Sequence, residues 1–166
     1  LAVATGLAGK VRGYLPHRWP GWFDPTPVEV TGQPFGPFPA SHPVTAAGDV
    51  RLVPTFGHSA GHLSVVVAEE DQDLLIAGDA SYTEQLMLDQ AIDGVAPDEG
   101  AARTTLERIL RYVSERSTVY LPSHDPGSIR RLDLRMVTSP GAGGEHTHPG
   151  TGRGPTSLGL PDELRT

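Results

Sequence analysis

Short apolar runs separated by turn residues predict a β-sheet in the middle of the chain. The predicted strands are Val44–Ala46, Val50–Thr55, His62–Ala68, Leu74–Ala77 and Thr118–Leu121. Gly48 and Asp49 separate the first two strands, and the acidic run Glu69–Asp73 separates the next two. Each of these pairs is expected to form a hairpin. The pattern therefore predicts two consecutive hairpins and one further strand, which Pro122 ends.

The period of the apolar positions changes between residues 98 and 115. Apolar residues recur there at spacings of three and four, at Ala101, Ala102, Leu106, Ile109, Leu110 and Val113, while charged residues occupy the opposite face. This period is typical of an amphipathic helix. Pro97 and Asp98 are residue types expected at the beginning of such a helix.

The regions on either side of this part of the chain predict little regular structure. Residues 24–43 contain six prolines and are predicted to form a wrapping loop, with at most a short strand at Val28–Val30. Residues 137–166 are rich in glycine and proline and have no apolar period, so they are predicted to be a disordered tail. The domain is therefore expected to span residues 1–136.

The composition excludes several classes of protein. The 166 residues include 20 glycines and 16 prolines, a content that coiled coils and helical bundles do not tolerate. No apolar run reaches the length of about 18 residues that a membrane span needs. The net charge of −7 is spread along the chain without a basic stripe. Neither a membrane nor a nucleic acid is therefore an expected partner. The chain has no cysteine, which excludes thiolate metal ligands.

Three of the predicted strands are followed by a residue that can bind a metal ion. His58 follows the second predicted strand, Asp79 the fourth and His124 the fifth. The ends of neighbouring strands meet at one edge of a sheet, so these side chains can converge although they are far apart in sequence. Their nitrogen and oxygen donors suit Zn²⁺ or a similar divalent ion. The alternative is that each is an ordinary surface histidine or turn aspartate.

Three strings around these residues resemble the C-terminal half of the metallo-β-lactamase fold superfamily, and most of all its N-acyl homoserine lactonases. The strings are TFGHSAGH at 55–62, GDASY at 78–82 and SHD at 123–125. The family motif is Thr-Pro-Gly-His-x-x-Gly-His, and Phe56 stands here in place of the proline. The resemblance implies an α/β fold, the αββα sandwich, of which residues 1–136 would form the C-terminal portion.

The resemblance also implies a dinuclear metal site that opens a lactone or a related small-molecule ester. It makes His58 a ligand of the first metal, His124 a ligand of the second and Asp79 the bridge between them. Zinc is the expected metal, with iron, cobalt and manganese as alternatives. A metal-bound hydroxide would attack the lactone carbonyl, and Tyr82 would donate a hydrogen bond to the carbonyl oxygen. His62, the second histidine of the motif, has a structural role in the family.

Two further assignments stay open. Asp125 either accepts a hydrogen bond that orients the His124 imidazole or caps the turn before Pro126. The aromatic residues Trp19, Trp22 and Phe23 either line a pocket for an acyl chain or pack the proline-rich loop onto the core.

The first-half signature of the superfamily, His-x-His-x-Asp-His, is absent. The His146-Thr147-His148 segment has a different continuation and is expected to be solvated. The chain begins at Leu1 without a secretion signal, so we expect a fragment of a longer, cytoplasmic protein. The missing ligands would come from that protein or from a second chain in a homodimer. The alternatives to a lactonase are a thioesterase of the glyoxalase II type, a β-lactamase, and a truncated module without catalytic activity.

Overall fold

The computed structural model describes residues 18–24, 26 and 28–141, and this part of the chain is an α/β fold. Its strands and helices are β1 (His42–Pro43), β2 (Val50–Pro54), β3 (Leu63–Ala68), β4 (Asp73–Gly78), α1 (Glu84–Leu88), α2 (Glu99–Glu115), β5 (Thr118–Pro122) and α3 (Gly127–Asp133). None of the described helices has the length and apolar character needed to span a bilayer.

The strands form one five-stranded sheet in the order β1-β2-β3-β4-β5. Strands β1 to β4 pair antiparallel, which confirms the two predicted hairpins. The first hairpin differs in detail, because β1 is formed by His42 and Pro43 rather than by residues 44–46. Val44 begins the turn instead, and its N–H donates to the carbonyl of Val50 at 2.8 Å. Residues 28–30 form no strand.

Strand β5 pairs with β4 in parallel, and this pairing requires a crossover connection that α1 and α2 supply. Helix α2 begins after Asp98, whose carboxylate accepts the N–H of Ala101 at 2.9 Å, so the predicted start is confirmed. The apolar stripe of α2 packs against one face of the sheet. The buried residues of this core are Phe38, Val53, Val66, Leu75, Ala77, Met87, Leu106, Ile109, Tyr112, Val113 and Tyr120.

The opposite face of the sheet carries a smaller apolar cluster. Leu74, Val119 and Leu121 form it, with Val67 packed against them. Ile76 alternates with Leu74 on β4, so it points to the same face, where it is 45% exposed. The structure describes one sheet, and the second sheet of the implied sandwich is not among the described residues.

The described residues continue past the expected domain boundary at residue 136. Thr138 is buried, and its N–H donates to the carbonyl of Thr118 at 2.8 Å, along the outer edge of β5. Its hydroxyl donates to Glu84 Oε1 at 2.5 Å. The expected boundary at residue 136 stays a prediction. Residues 142–166, the rest of the predicted tail, are outside the described residues.

The loop after β2 packs tightly against the first turns of α2. Gly57 has a φ of +137°, and a Cβ atom built on it would lie 2.5 Å from the Cα of Ala102. The hydroxyl of Thr105 donates to the carbonyl of Phe56 at 2.7 Å, which binds the loop to the helix. The loop can approach α2 this closely only because residue 57 has no side chain.

We therefore predict that Gly57→Ala lowers the free energy of unfolding by at least about 2 kcal/mol, because overpacking and backbone strain add to each other. Gly61→Ala is the matched control in the same loop. A Cβ at Gly61 would meet nothing within 4 Å, so its effect should stay within about 0.5 kcal/mol. Urea unfolding measures both, and equal stabilities of the two variants would contradict this packing.

Candidate metal centre

The direction of the strands explains why distant residues meet at one edge of the sheet. Strands β2 and β4 are both antiparallel to β3, so they run in the same direction, and β5 is parallel to β4. The carboxyl ends of these three strands therefore lie on one side of the sheet. His58, Asp79 and His124 each follow one of these ends, and the structure brings all three together.

The two histidines face opposite oxygens of one carboxylate. His58 Nε2 lies 3.4 Å from Asp79 Oδ2, and His124 Nε2 lies 3.3 Å from Asp79 Oδ1. These separations are longer than a charge-assisted hydrogen bond of about 2.7–2.9 Å. Arg131 and Asp125, by contrast, pair at 2.6 Å in the same molecule. Each imidazole therefore faces the carboxylate without being hydrogen-bonded to it.

The separations fit a metal ion between each pair of donor atoms. Two donors bound to one tetrahedral zinc ion at about 2.0–2.1 Å are about 3.3–3.4 Å apart. The residues present could thus hold two divalent ions that share the Asp79 carboxylate, one beside His58 and one beside His124. In the part of the chain that the structure describes, no group of three or more His, Cys, Asp or Glu side chains is placed so that it could hold a single metal ion. Each ion would therefore have two ligands from these residues.

His62 holds the backbone of Asp79 in place. The Asp79 N–H donates to His62 Nε2 at 3.1 Å, so Nε2 carries no proton. The proton is on Nδ1, which donates to the carbonyl of Thr55 at 3.0 Å. Gly78 permits this contact, because it has a φ of +59° and a Cβ there would lie 2.9 Å from His62 Nε2. His62 thus contacts the main chain of Asp79 and has the structural position that the resemblance implies.

Tyr82 lies beside the two candidate ligands. The centre of its ring is 4.7 Å from that of His124 and 6.3 Å from that of His58. Its hydroxyl is in no hydrogen bond with another described residue, so it is free to donate to a ligand. His124 is the more accessible histidine, with 57% of its side chain exposed against 28% for His58.

Asp125 anchors the loop that carries His124. Its Oδ2 accepts the N–H of Glu84 at 3.0 Å and Nη2 of Arg131 at 2.6 Å, and its Oδ1 accepts the N–H of Gly127 at 2.7 Å. Burial raises the pKa of Asp125, but the N–H of Glu84 and the Arg131 guanidinium outweigh it and leave the pKa lowered. None of the hydrogen bonds found for Asp125 in the described residues reaches the His124 ring. These contacts favour the turn-capping alternative.

Asp93 was not singled out from the sequence, yet it lies directly behind the site. Its Oδ2 is 3.5 Å from His58 Nδ1, the ring nitrogen that faces away from Asp79. The dipeptide Asp93-Gly94 indicates only a turn in the sequence. The connection between α1 and α2 that carries it has no pattern that predicts its path.

The aromatic residues near the start of the described region form a separate cluster. Phe23 makes edge-to-face contacts with Trp19 at 5.2 Å and with Trp22 at 6.1 Å between ring centres. Trp22 is 81% exposed. Both alternatives for this cluster, an acyl-chain pocket or packing, stay predictions. His146 and His148 lie outside the described residues.

The model of the metallo-beta-lactamase superfamily matches residues 5–124, which include His58, Asp79 and His124. The chain belongs to this superfamily. No curated protein matches the chain.

Several solved structures of superfamily hydrolases are partly similar. An N-acyl homoserine lactone hydrolase with N-hexanoyl-L-homoserine bound at its catalytic metal center is 26% identical, with a TM-score of 0.48 over 54% of this chain and 35% of that one. A mutant of B. thuringiensis AiiA with N-decanoyl-L-homoserine bound at the active site has the same identity, TM-score and coverage. A quorum-quenching N-acyl homoserine lactone hydrolase is 29% identical, with a TM-score of 0.43 over 47% and 32%. This chain spans about a third of the length of these structures.

We predict that protonation of His62 destabilises this superfamily domain. The pKa of His62 is lowered, mainly because the ring is partly buried, and His58 adds to this effect. The hydrogen bond to Thr55 and the charge of Asp79 raise the pKa but do not outweigh the burial. The unfolded chain therefore takes up this proton first as the pH falls, so the free energy of unfolding decreases from pH 7 towards pH 5. Since the ring is only partly buried, the loss should stay well below the limit of about 1.4 kcal/mol per pH unit for one proton.

Urea unfolding between pH 5 and 8 measures this effect. In His62→Gln, which replaces the ring by a neutral amide, the decrease at low pH should be smaller. The same pH dependence in both proteins would show that His62 does not titrate on unfolding.

Proposed function

We propose that this chain contributes one half of a dinuclear metal centre that hydrolyses a lactone. The observation that supports the proposal most directly is the pair of separations across the Asp79 carboxylate. His58 Nε2 lies 3.4 Å from Asp79 Oδ2, and His124 Nε2 lies 3.3 Å from Asp79 Oδ1. Both separations match those of two donor atoms bound to one tetrahedral zinc ion. A single carboxylate with a histidine at each oxygen is an arrangement suited to bridging two ions.

Each protein group has a separate task in the proposed reaction. His58 and His124 would each hold one ion, and Asp79 would hold both, with its main chain fixed by His62. The metals, when bound, activate water at neutral pH and polarise a carbonyl group. Tyr82, beside both histidines, would donate its phenol proton in a hydrogen bond to the carbonyl oxygen as negative charge develops there.

The hydroxyl of Tyr82, which has no hydrogen bond to another described residue, favours a lactone over the other substrates of hydrolases on this fold. By the resemblance, an oxyanion donor shortly after the bridging aspartate belongs to the lactonase branch. The second candidate is another hydrolase of the superfamily, a thioesterase of the glyoxalase II type or a β-lactamase. It is favoured if hydrolysis does not depend on the Tyr82 hydroxyl.

Two ligands for each ion are fewer than the three or four protein ligands of most zinc sites. The remaining ligands of the proposed centre would therefore come from residues outside the described part or from a second polypeptide, such as a copy of this chain. A chain that acquires none of them would be the non-catalytic module.

We predict a specific loss of metal for each ligand variant. His58→Ala and His124→Ala should each lower the content by one ion per site, whereas Asp79→Ala should lower it by two, because both ions lose a ligand. Asp71→Ala, at an exposed turn, is the control for the lost charge and should retain both ions. Metal analysis after dialysis measures the content. Equal losses in the three ligand variants would contradict the shared carboxylate, and no metal in any preparation would contradict the centre itself.

We also predict the effect of Tyr82→Phe on turnover in a preparation that binds two ions per site. Removal of one donor to the developing negative charge should lower kcat for lactone opening by about 10²–10³-fold. The phenylalanine keeps the ring beside His124, and acid release at constant pH measures the rate. Asp79→Ala should abolish turnover. A Tyr82→Phe enzyme that opens lactones at an unchanged rate would contradict the role of Tyr82 and remove the observation that favours a lactone over a thioester or a β-lactam.

A further inference from the structure

A buried ring nitrogen without a hydrogen bond faces a carboxylate oxygen behind the candidate metal centre. Nδ1 of His58 is buried and has no hydrogen-bond partner among the described residues. Oδ2 of Asp93 lies 3.5 Å away, and only 6% of the Asp93 side chain is exposed. A buried polar group without a hydrogen bond is energetically unfavourable. A donor and an acceptor that both lack another partner are therefore complementary at this distance.

The local turn leaves one carboxylate oxygen of Asp93 free for this contact. Oδ1 accepts the N–H groups of Val95 and Ala96 at 3.0 and 3.1 Å. Gly94 adopts a φ of +74°, which the tight turn requires. The turn thus fixes the direction of the carboxylate through Oδ1, while Oδ2 points towards His58 and has no other partner in the described part of the chain.

Apolar side chains lie next to the pair. A narrow cavity of about 10 Å³ lies beside it and is lined by Ile92, Ala96, Ala102 and Leu106 in addition to the polar residues of the site. An environment of low polarity strengthens a hydrogen bond that forms there. The contact between His58 and Asp93 can therefore restrain the ring more firmly than the same contact at the surface.

We propose that Asp93 is a positioning residue that fixes the tautomer and the rotation of His58, so that Nε2 is the metal-binding atom. The separation exceeds a formed N–H···O hydrogen bond by about 0.5 Å, and a small rotation of the ring closes it. With the proton held on Nδ1, the lone pair of Nε2 points towards Asp79. Metal-binding histidines commonly donate their other N–H to a carboxylate in this way. The inference rests on the proposed function, because it concerns the orientation of a metal ligand.

The test measures the tautomer of His58 directly in the metal-free full chain. Nitrogen-15 spectra of the histidine rings at about pH 8.5, where an ordinary histidine is neutral, distinguish a proton on Nδ1 from one on Nε2. His58→Gln identifies the His58 signals among those of the seven histidines. His62 is an internal control, since its Nδ1–H form is held by Thr55 and Asp79.

We expect His58 in the Nδ1–H form in the native chain and a shift towards the Nε2–H form in Asp93→Asn. The amide can keep its oxygen on the Val95 and Ala96 N–H groups and present an NH₂ group to His58. Asp71→Asn, an exposed change of the same charge, should leave the spectrum unchanged. If Asp93→Asn does not fold, Asp93→Ser keeps an acceptor for the turn and removes the oxygen that faces His58. In the Asp93 variant that folds, chelator competition should show that zinc binds about 10–100-fold more weakly than in the native chain.

The Nε2–H form in the native chain, or an unchanged tautomer in the Asp93 variants, would overturn the proposal. The tautomer measurement needs neither metal nor substrate. A tautomer shift, together with no lactone opening in a preparation that binds two ions per site, would therefore contradict the proposed function and leave the role of Asp93 supported.

Discussion

The geometry of the candidate centre depends on the hydrogen bond from the Asp79 N–H to Nε2 of His62. The bond joins the end of β4 to the loop that follows β2, so the two parts of the chain that carry Asp79 and His58 cannot move independently. The left-handed conformation of Gly78 is necessary for it, because any side chain there would collide with the imidazole. His62 thereby acts on both candidate ions without contacting either, since it fixes the carboxylate that they would share.

Much of the fold was predictable because its strands are short apolar runs with turn residues between them. The helix Glu99–Glu115 was predictable for the same reason, as its apolar residues keep a helical period and Asp98 caps it. Glu84–Leu88 and Gly127–Asp133 were not predicted, because segments of five and seven residues are too short to show a period. They are held by contacts from distant parts of the chain, such as the bond from the Glu84 N–H to Asp125.

The candidate site was predictable where a residue type and a strand end coincide. His58, Asp79 and His124 satisfy that condition, and the structure brings them together. Asp93 does not, because its place behind His58 results from the path of an irregular connection. Asp125 was recognised, but a local pattern cannot distinguish two acceptor roles. Its partners Glu84 and Arg131 are known only once the fold is known.

The parallel pairing of β4 and β5 has a consequence for how the family can diversify. The distance between Asp79 and His124 is determined by the registry of two adjacent strands. The connection between those strands can therefore lengthen or shorten without separating the two residues. The same connection carries Asp93, so a change in its length would alter the support behind His58 while the shared carboxylate kept its position. Insertions between α1 and α2 would thus change one half of the centre and spare the other, which makes this segment a natural place for catalytic properties to diverge on a constant scaffold.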